Sequence, residues 1–359
     1  MRILVAGGTG SVGRHVCAEV VRTLGPGSLV VGDYDPARGR EYARSISGSV
    51  DTVELDVHDR GTVDRGTDGV DAVIVAVRQF EPVVQTVCTE KGIPSVDIVP
   101  DTPLAASLFS PDEAHPEWER LSGVVAAGLI PGLSGLMARH VIETSPVTDD
   151  APGDRVIHVS LLQRKDGTAG AAGIADMLGL FARPVTYEGR RVRGFSRKRI
   201  TAFPPPFGER TVRLVAFPEA ADVGHAFGLD HVRYWTAFDV ESFNRTIGTL
   251  NRLGILNRFA TPGGGARLAR RLASSKAGTV AGDETVALVA EARGSMVRLT
   301  VPSDYGGTAM AAVAMTRALL SDGPPDCGVV TPFQLFTLDR ILGLIESSEL
   351  RVEMVRADE

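Results

Sequence analysis

The first thirteen residues constrain this chain more than any other stretch. Met1-Arg-Ile-Leu-Val-Ala is an apolar run that breaks into Gly7-Gly-Thr-Gly-Ser-Val-Gly13 and resumes with helical spacing from Arg14 to Val21. The pattern predicts a strand, a tight turn and a helix. Gly8, Gly10 and Gly13 stand in the G-x-G-x-x-G register, in which the first allows the turn, the second lets backbone approach a pyrophosphate, and the third lets helix pack on strand. The N-terminus of such a helix offers unpaired N–H groups and a partial positive charge to phosphates. A plain βα turn can carry the same glycines, so the motif needs support from the residues that follow.

That support comes at βα spacing. Ser28-Leu-Val-Val-Gly-Asp33 is a second apolar run, ending on an acid about 20 residues beyond the last glycine, where a carboxylate meets ribose hydroxyls. Thr52-Val-Glu-Leu-Asp56 and Val70-Asp-Ala-Val-Ile-Val-Ala-Val77 follow as third and fourth strands. The expected dinucleotide contacts are Gly7, Gly8, Thr9, Gly10, Ser11, Val12 and Gly13, then Asp33, Tyr34 and Arg38, and at the ends of the third and fourth strands Asp56, Val57, Ala76 and Val77. A carboxylate at Asp33 repels a 2′-phosphate and favours NAD. Arg38, five residues on, can pair with that phosphate and keeps NADP open.

The bulk numbers bound the class. At 359 residues the chain is long enough for two cores, or for one Rossmann unit with a large insertion. A net charge of −6 and a pI near 5.7 argue against nucleic acid or an anionic membrane as partner. With no run of about 20 apolar residues and a strand at the start, the expectation is a cytoplasmic protein acting on a small molecule. Cys17, Cys88 and Cys327 share no metal-ligand spacing, so neither a metal site nor a disulfide framework is expected.

Beyond residue 130 the grammar changes. Strand candidates at 155–162, 190–195, 211–216, 231–238, 285–292 and 296–301 lie too close together for parallel crossovers alone, and Arg293-Gly-Ser295 signals a hairpin. Helical patterns interleave at 169–182, 241–253, 264–275 and 306–320, and Pro332 to Glu346 reads as a last helix with an apolar docking face. The expected class is α/β: an N-terminal Rossmann unit with a doubly wound parallel sheet, an inserted α+β domain with a mixed or antiparallel sheet, and a C-terminal helix returning to the first domain. Residues 1–130 plus 302–359 are assigned to the dinucleotide domain, and 131–301 to the inserted substrate and dimerisation domain.

Gly7-Gly-Thr-Gly-Ser-Val-Gly13, Val70 to Arg78, Gly92-Ile-Pro-Ser-Val-Asp97 and Gly128-Leu-Ile-Pro-Gly-Leu-Ser134 together resemble the saccharopine dehydrogenase-like family, as do Gly307 to Leu320 and Gly328-Val-Val-Thr-Pro-Phe-Gln334. The likeness is closest over 1–140 and 300–345. It implies an NAD(P)-dependent oxidoreductase that makes or breaks a C–N bond of an amino-acid-like substrate through an imine. It also implies substrate bound between the two domains and a homodimer formed through the inserted sheet. A related branch reduces C=C bonds of polyketide or lipid precursors. The glycine motif also resembles NmrA-like reductases, but no Tyr-x-x-x-Lys pair is present: Arg191 stands four residues after Tyr187, and Phe238 after Tyr234.

Several residues are candidates for the chemistry. Arg78 and Gln79 follow the fourth strand, where ligands bind in such sheets, and a guanidinium there suits a substrate carboxylate. Asp97, after the fifth strand, is a candidate proton acceptor, with a helix-capping role the plainer alternative, as for Asp101. Gly132 and the Gly167 to Gly170 turn offer backbone N–H groups to a carboxylate. Arg164 and Lys165 precede that second turn, Arg164 as a substrate ligand and Lys165 as an acid or base, against the commoner solvated lysine. Tyr305 precedes a helix and is a candidate proton donor. The cluster Arg190, Arg191, Arg193, Arg197, Lys198 and Arg199 reads as solvated strand edge, with attraction of a di- or tricarboxylate or a phosphopantetheine carrier as the alternative. The leading expectation is hydride transfer at carbon bearing nitrogen. A C=C reductase and a non-catalytic nucleotide sensor are the rivals.

Overall fold

The computed structural model describes residues 1–100, 102–109, 115–145, 156–164, 171–259, 284–323, 325 and 328–356. The chain forms two compact units, Met1–Arg139 with Tyr305–Ser347, and His140–Asp304 with Ser348–Glu359.

Unit 1 opens with alternating strands and helices: β1 (Ile3–Ala6), α1 (Ser11–Leu24), β2 (Leu29–Asp33), α2 (Pro36–Ile46), β3 (Asp51–Glu54), α3 (Arg60–Gly66), β4 (Ala72–Val75), α4 (Val83–Lys91), β5 (Ser95–Asp97), α5 (Pro103–Phe109) and β6 (Ser122–Val124). α6 (Leu133–Thr144) then leads into unit 2. β1, β2 and β4 are buried along their whole length, as strands covered on both faces must be, and so read as unbroken apolar runs. Leu4, Ala6, Val30, Val73 and Val75 from the sheet pack with Val63, Val84, Val87 and Cys88 from α3 and α4. Burial of each large side chain is worth about 1.5–3 kcal/mol.

Unit 2 contains β7 (Val156–Gln163), α7 (Ala171–Ala182), β8 (Pro184–Tyr187), β9 (Arg190–Arg193), β10 (Lys198–Phe203), β11 (Gly208–Val215), α8 (Glu219–Phe227), β12 (His231–Phe238), α9 (Glu241–Arg252), β13 (Val286–Ala292) and β14 (Ser295–Val301). α10 (Asp304–Asp322), β15 (Gly328–Val330), α11 (Pro332–Leu335) and α12 (Leu338–Leu342) belong to unit 1 from Tyr305 onward, and β16 (Arg351–Arg356) lies in unit 2.

The unit 1 sheet has the order β15-β6-β5-β4-β1-β2-β3 and is parallel throughout. The unit 2 sheet runs β10-β11-β12-β7-β13-β14-β16, with β12 parallel to β7 and the other pairs antiparallel. β8 and β9 form a separate hairpin. The expected α/β class, with a parallel first sheet and a mixed second one, is the observed one. The core of unit 2 gathers Leu162, Phe203, Val212, Leu214, Trp235 and Val289. Trp235 Nε1 donates to His158 Nδ1 at 3.0 Å, and burial pushes the His158 imidazole down to about 3, so this strand histidine is neutral and structural.

Three expectations need correcting. Residues 348–356 do not join the Rossmann unit; they supply β16, paired with β14 in register from Thr300–Arg351 to Ser295–Arg356. Pro332 to Glu346 is not one helix: Phe336 turns extended at φ −112°, ψ 159°, Arg139 Nη1 donates to the Phe333 and Phe336 carbonyls at 2.8 and 3.2 Å, and Thr337 caps a second short helix. The basic run holds more than the one strand expected over 190–195: Lys198 and Arg199 open a further strand, β10, which belongs to a different sheet from β9. The helix expected at 264–275 lies outside the described residues. Among the described residues, no helix is long and apolar enough to cross a membrane, and no group of three His, Cys, Asp or Glu side chains is placed to hold a metal.

Candidate functional site

The glycine loop joins β1 to α1, and its geometry explains each glycine differently. The turn conformation falls on Gly7, at φ +77°, rather than on Gly8 as the motif register suggests. Gly7 and Gly8 donate to the Gly32 carbonyl at 3.0 and 3.2 Å, which ties the loop to β2. A Cβ on Gly8 would press on Cys17 Sγ and Val31 Cγ1, both at 3.1 Å. On Gly13 it would lie 2.1 Å from the Gly7 carbonyl oxygen, so α1 can approach the turn only if residue 13 has no side chain. Gly10 differs: an added Cβ would meet only the Gly7 oxygen, at 3.2 Å, so the packing of the protein around it makes a weaker demand for glycine there.

Gly10 is also the N-cap of α1 and contributes no side chain to it, and the first turn, Ser11-Val12-Gly13, contains no acid. The helix therefore presents backbone donors and the positive end of its dipole without a capping carboxylate. A cradle that a Cβ would fill, below an uncapped helix start, fits a pyrophosphate. Ala76 and Val77 flank it, with the Ala76 oxygen 3.3 Å and Val77 Cβ 2.8 Å from the position of a Gly7 Cβ.

Asp33 closes β2 beside this loop and is 3% exposed. Its carboxylate accepts from the Thr9 hydroxyl, from Asp35 N at 2.8 Å and from Arg38 Nη2 at 2.6 Å. Burial raises its pKa, but the bonds from Arg38, Thr9 and the Asp35 amide prevail and hold it below the usual carboxylate range. The acid is thus ionised at neutral pH. Arg38 serves Asp33 and covers the Tyr34 ring, its guanidinium carbon 4.7 Å from the centroid, while Tyr34 itself is exposed. Asp56 accepts from His58 N at 3.0 Å at the turn into α3, and Val57 is buried in the core.

Behind the carboxyl ends of β4 and β5 lies a buried polar chain. Val84 N donates to Gln79 Oε1 at 3.2 Å, and Gln79 Nε2 donates to Gln85 Oε1 at 3.1 Å and to Asp97 Oδ2 at 3.3 Å. Gln85 Nε2 donates to the same oxygen at 2.9 Å, and Val99 N to Asp97 Oδ1 at 2.8 Å. Backbone N–H groups at both ends fix the polarity of the chain, so both Asp97 oxygens act as acceptors. Burial nevertheless pushes the Asp97 carboxyl up to about 7, against the bonds from Val99, Gln85 and Gln79.

The expected substrate and proton-transfer residues are placed unevenly. Gln79 is buried and its amide is engaged within the protein, so it supports the β4–α4 loop instead of facing a ligand. Asp97, 1% exposed and enclosed by the same bonds, holds that loop as well. Arg78 beside them is exposed. Gly132 sits at φ +122°, where a Cβ would come within 2.4 Å of the Gly128 oxygen, and the following amides of Leu133 and Ser134 donate to Gly128 and Leu129. These two amides are therefore not available to a substrate carboxylate. Tyr305 lies against α1, its ring 5.7 Å from that of His15. Arg164, in unit 2, pairs with Asp239 at 3.5 Å. Lys165, Asp101 and the Gly167 to Gly170 turn fall outside the described residues. Sequence reasoning missed Gln85, whose signal was a glutamine on the apolar face of α4 beside Val84 and Cys88. It also missed the bond from Thr9 to Asp33.

No family model matches the sequence, and no curated protein is significantly similar to it. Solved structures are similar in fold. The apo saccharopine dehydrogenase (L-Glu forming) of Saccharomyces cerevisiae is 13% identical, with 99% of each chain covered and a TM-score of 0.59. The homospermidine synthase of Legionella pneumophila, solved in complex with NAD, is 10% identical, with 100% of this chain and 92% of that one covered and a TM-score of 0.63. The two-unit architecture of the chain is the fold these proteins share with it.

Proposed function

We propose that the chain is an NAD-dependent oxidoreductase acting on a C–N bond of an amino-acid-like substrate. The observation that carries the reading is the loop at Gly7 to Gly13, where α1 starts uncapped above a turn that tolerates no Cβ on Gly13. The backbone of Gly10 to Gly13 would hold the pyrophosphate, Asp33 the adenosine ribose, and Tyr34 with Arg38 the edge of the adenine site. Ala76 and Val77 would wall the cofactor beside Gly7. An ionised, buried Asp33 supports NAD over NADP, because it would confront a 2′-phosphate with a negative charge. When bound, the nicotinamide supplies or accepts a hydride. Fold similarity to a saccharopine dehydrogenase and a homospermidine synthase, both named for chemistry at amine nitrogen, supports the C–N assignment.

The protein's own part is positional. The Gln79–Gln85–Asp97 chain fixes the β4–α4 loop and with it the exposed Arg78, whose guanidinium suits a substrate carboxylate. Tyr305 beside α1 and Arg164 beside Asp239 remain proposed donors to substrate, and a cytoplasmic homodimer belongs to the same reading. The test is nicotinamide absorbance with each cofactor against amino acids, keto acids paired with amines, and enoyl thioesters. Turnover of an amino acid or imine, lost in Gly13→Ala, is the expected result. Turnover of enoyl thioesters alone would replace C–N with C=C chemistry, and wild-type cofactor binding by Gly13→Ala would overturn the site itself.

A further inference from the structure

Unit 2 contains a concentration of positive charge that the dinucleotide reading does not use. A cavity of about 520 Å³ opens between β9, the start of β10, β11 and α9. Five cations line it: Arg193, Lys198, Arg213, Arg245 and Arg252. Its volume falls in the range of small-molecule sites, about 300–1,000 Å³. The chain as a whole carries −6, so the cluster runs against the overall charge.

The cations are arranged, not merely near one another. Arg213 is 1% exposed, and its guanidinium carbon lies 5.3 Å from the centroid of Phe195. Phe195 holds a left-handed backbone at φ +62°, a conformation costly for a bulky residue, and stacks on Phe181 at 4.5 Å. Arg193 Nη1 donates to the Asn251 and Arg252 carbonyls at 2.9 and 2.7 Å, which covers the negative end of α9 that would otherwise repel an anion. One carboxylate, Glu241, pairs with Arg213 at 2.8 Å and with Arg245 at 3.4 Å. Lys198 and Arg252 have no ion-pair partner among the described residues. On the helix wall Gly248 bears no side chain, and a Cβ there would come no nearer than 4.0 Å to Phe195, so the space beside α9 is open.

We propose that this cavity is a second ligand site, binding a small molecule with two or more oxyanionic groups. Guanidinium forks match carboxylate and phosphate oxygens equally well, so polyanion chemistry is what the site selects. All of its residues lie in unit 2, whereas the glycine loop lies in unit 1.

The experiment is calorimetric titration of the full chain with pyrophosphate and with citrate at low ionic strength, in a Gly13→Ala background that disables the glycine loop, comparing that parent with the added Gly248→Leu and with the added Lys198→Glu/Arg245→Glu. Leucine fills the open wall and is a better helix former than glycine, and the double variant replaces two exposed side chains at the cost of the 3.4 Å Arg245–Glu241 contact, so one fold-preserving variant remains if the other misfolds. Saturable binding of one anion per chain, weakened at least tenfold in the variants that retain the parent's melting temperature, is expected. Tighter pyrophosphate identifies a phosphorylated ligand, and tighter citrate a polycarboxylate. Undiminished affinity in the folded variants would place the anion elsewhere and overturn the proposal. Failure of both anions to saturate would overturn it too.

Discussion

Asp97 gives the sharpest quantitative test of the structure. Its carboxyl is enclosed in unit 1 and pushed from an ordinary 3.8 to about 7 by burial. Between those values the native state holds a proton that the unfolded chain has released, so stability falls as pH rises through the window. A shift of roughly three units at 1.36 kcal/mol each amounts to about 4 kcal/mol over the full range, and to about 3 kcal/mol between pH 5 and pH 8. Asp97→Asn removes the titration. Because Val84 N–H and Val99 N–H fix the bond polarity from both ends, the amide also sets one donor against another, a cost that does not change with pH. The assay is urea unfolding followed by Trp118, which lies in unit 1, in a Trp235→Phe background that silences the second of the two tryptophans. The wild-type advantage over Asp97→Asn should shrink by about 3 kcal/mol from pH 5 to pH 8. Parallel pH profiles would refute the argument, since they would mean a carboxyl with no raised native pKa.

Two further outcomes follow from the same unit. Asp33→Ser removes the carboxylate that engages Arg38 and frees that guanidinium for a 2′-phosphate, so the NADPH-to-NADH affinity ratio, read by fluorescence titration, should rise at least tenfold, about 1.4 kcal/mol; an unchanged ratio would show that Asp33 does not set cofactor choice. Cys17 and Cys88 are buried thiols pushed up to about 12, so in a Cys327→Ser background a disulfide reagent at pH 8 should label neither until denaturant is added, and rapid native labelling would contradict the packing of α1 and α4.

The parts legible in the sequence are those governed by local periodicity. β1, β2 and β4 announce themselves as apolar runs because both faces of that sheet are covered there, and α1 and α4 by their helical spacing. β12 was legible over its whole span, His231 to Phe238. What escaped depends on partners distant in the chain. β10 and β16 are edge strands whose exposed Ile200, Val352 and Met354 give no clean alternation. Gln79 looked like a ligand because its position after β4 was visible, whereas Gln85 and Asp97, which claim its amide, stand 6 and 18 residues away. Gly7 escaped as the turn residue because the motif register counts from Gly8. The six-residue basic run looked like one feature, yet only Arg193 and Lys198 from it line the cavity that Arg213, Arg245 and Arg252 complete from elsewhere.

The late return of the chain to unit 2 has a consequence for synthesis. β7 begins at Val156, but the outer partner of β14 is not made until Arg351 to Arg356. While Tyr305 to Ser347 are being added to unit 1, β14 has an unpaired edge, a template for association with a neighbouring chain. The ribosome therefore delivers the cover for that edge well after β14 itself, and the vulnerable interval of this protein lies in its biogenesis, after β14 has been made and before its outer partner has emerged.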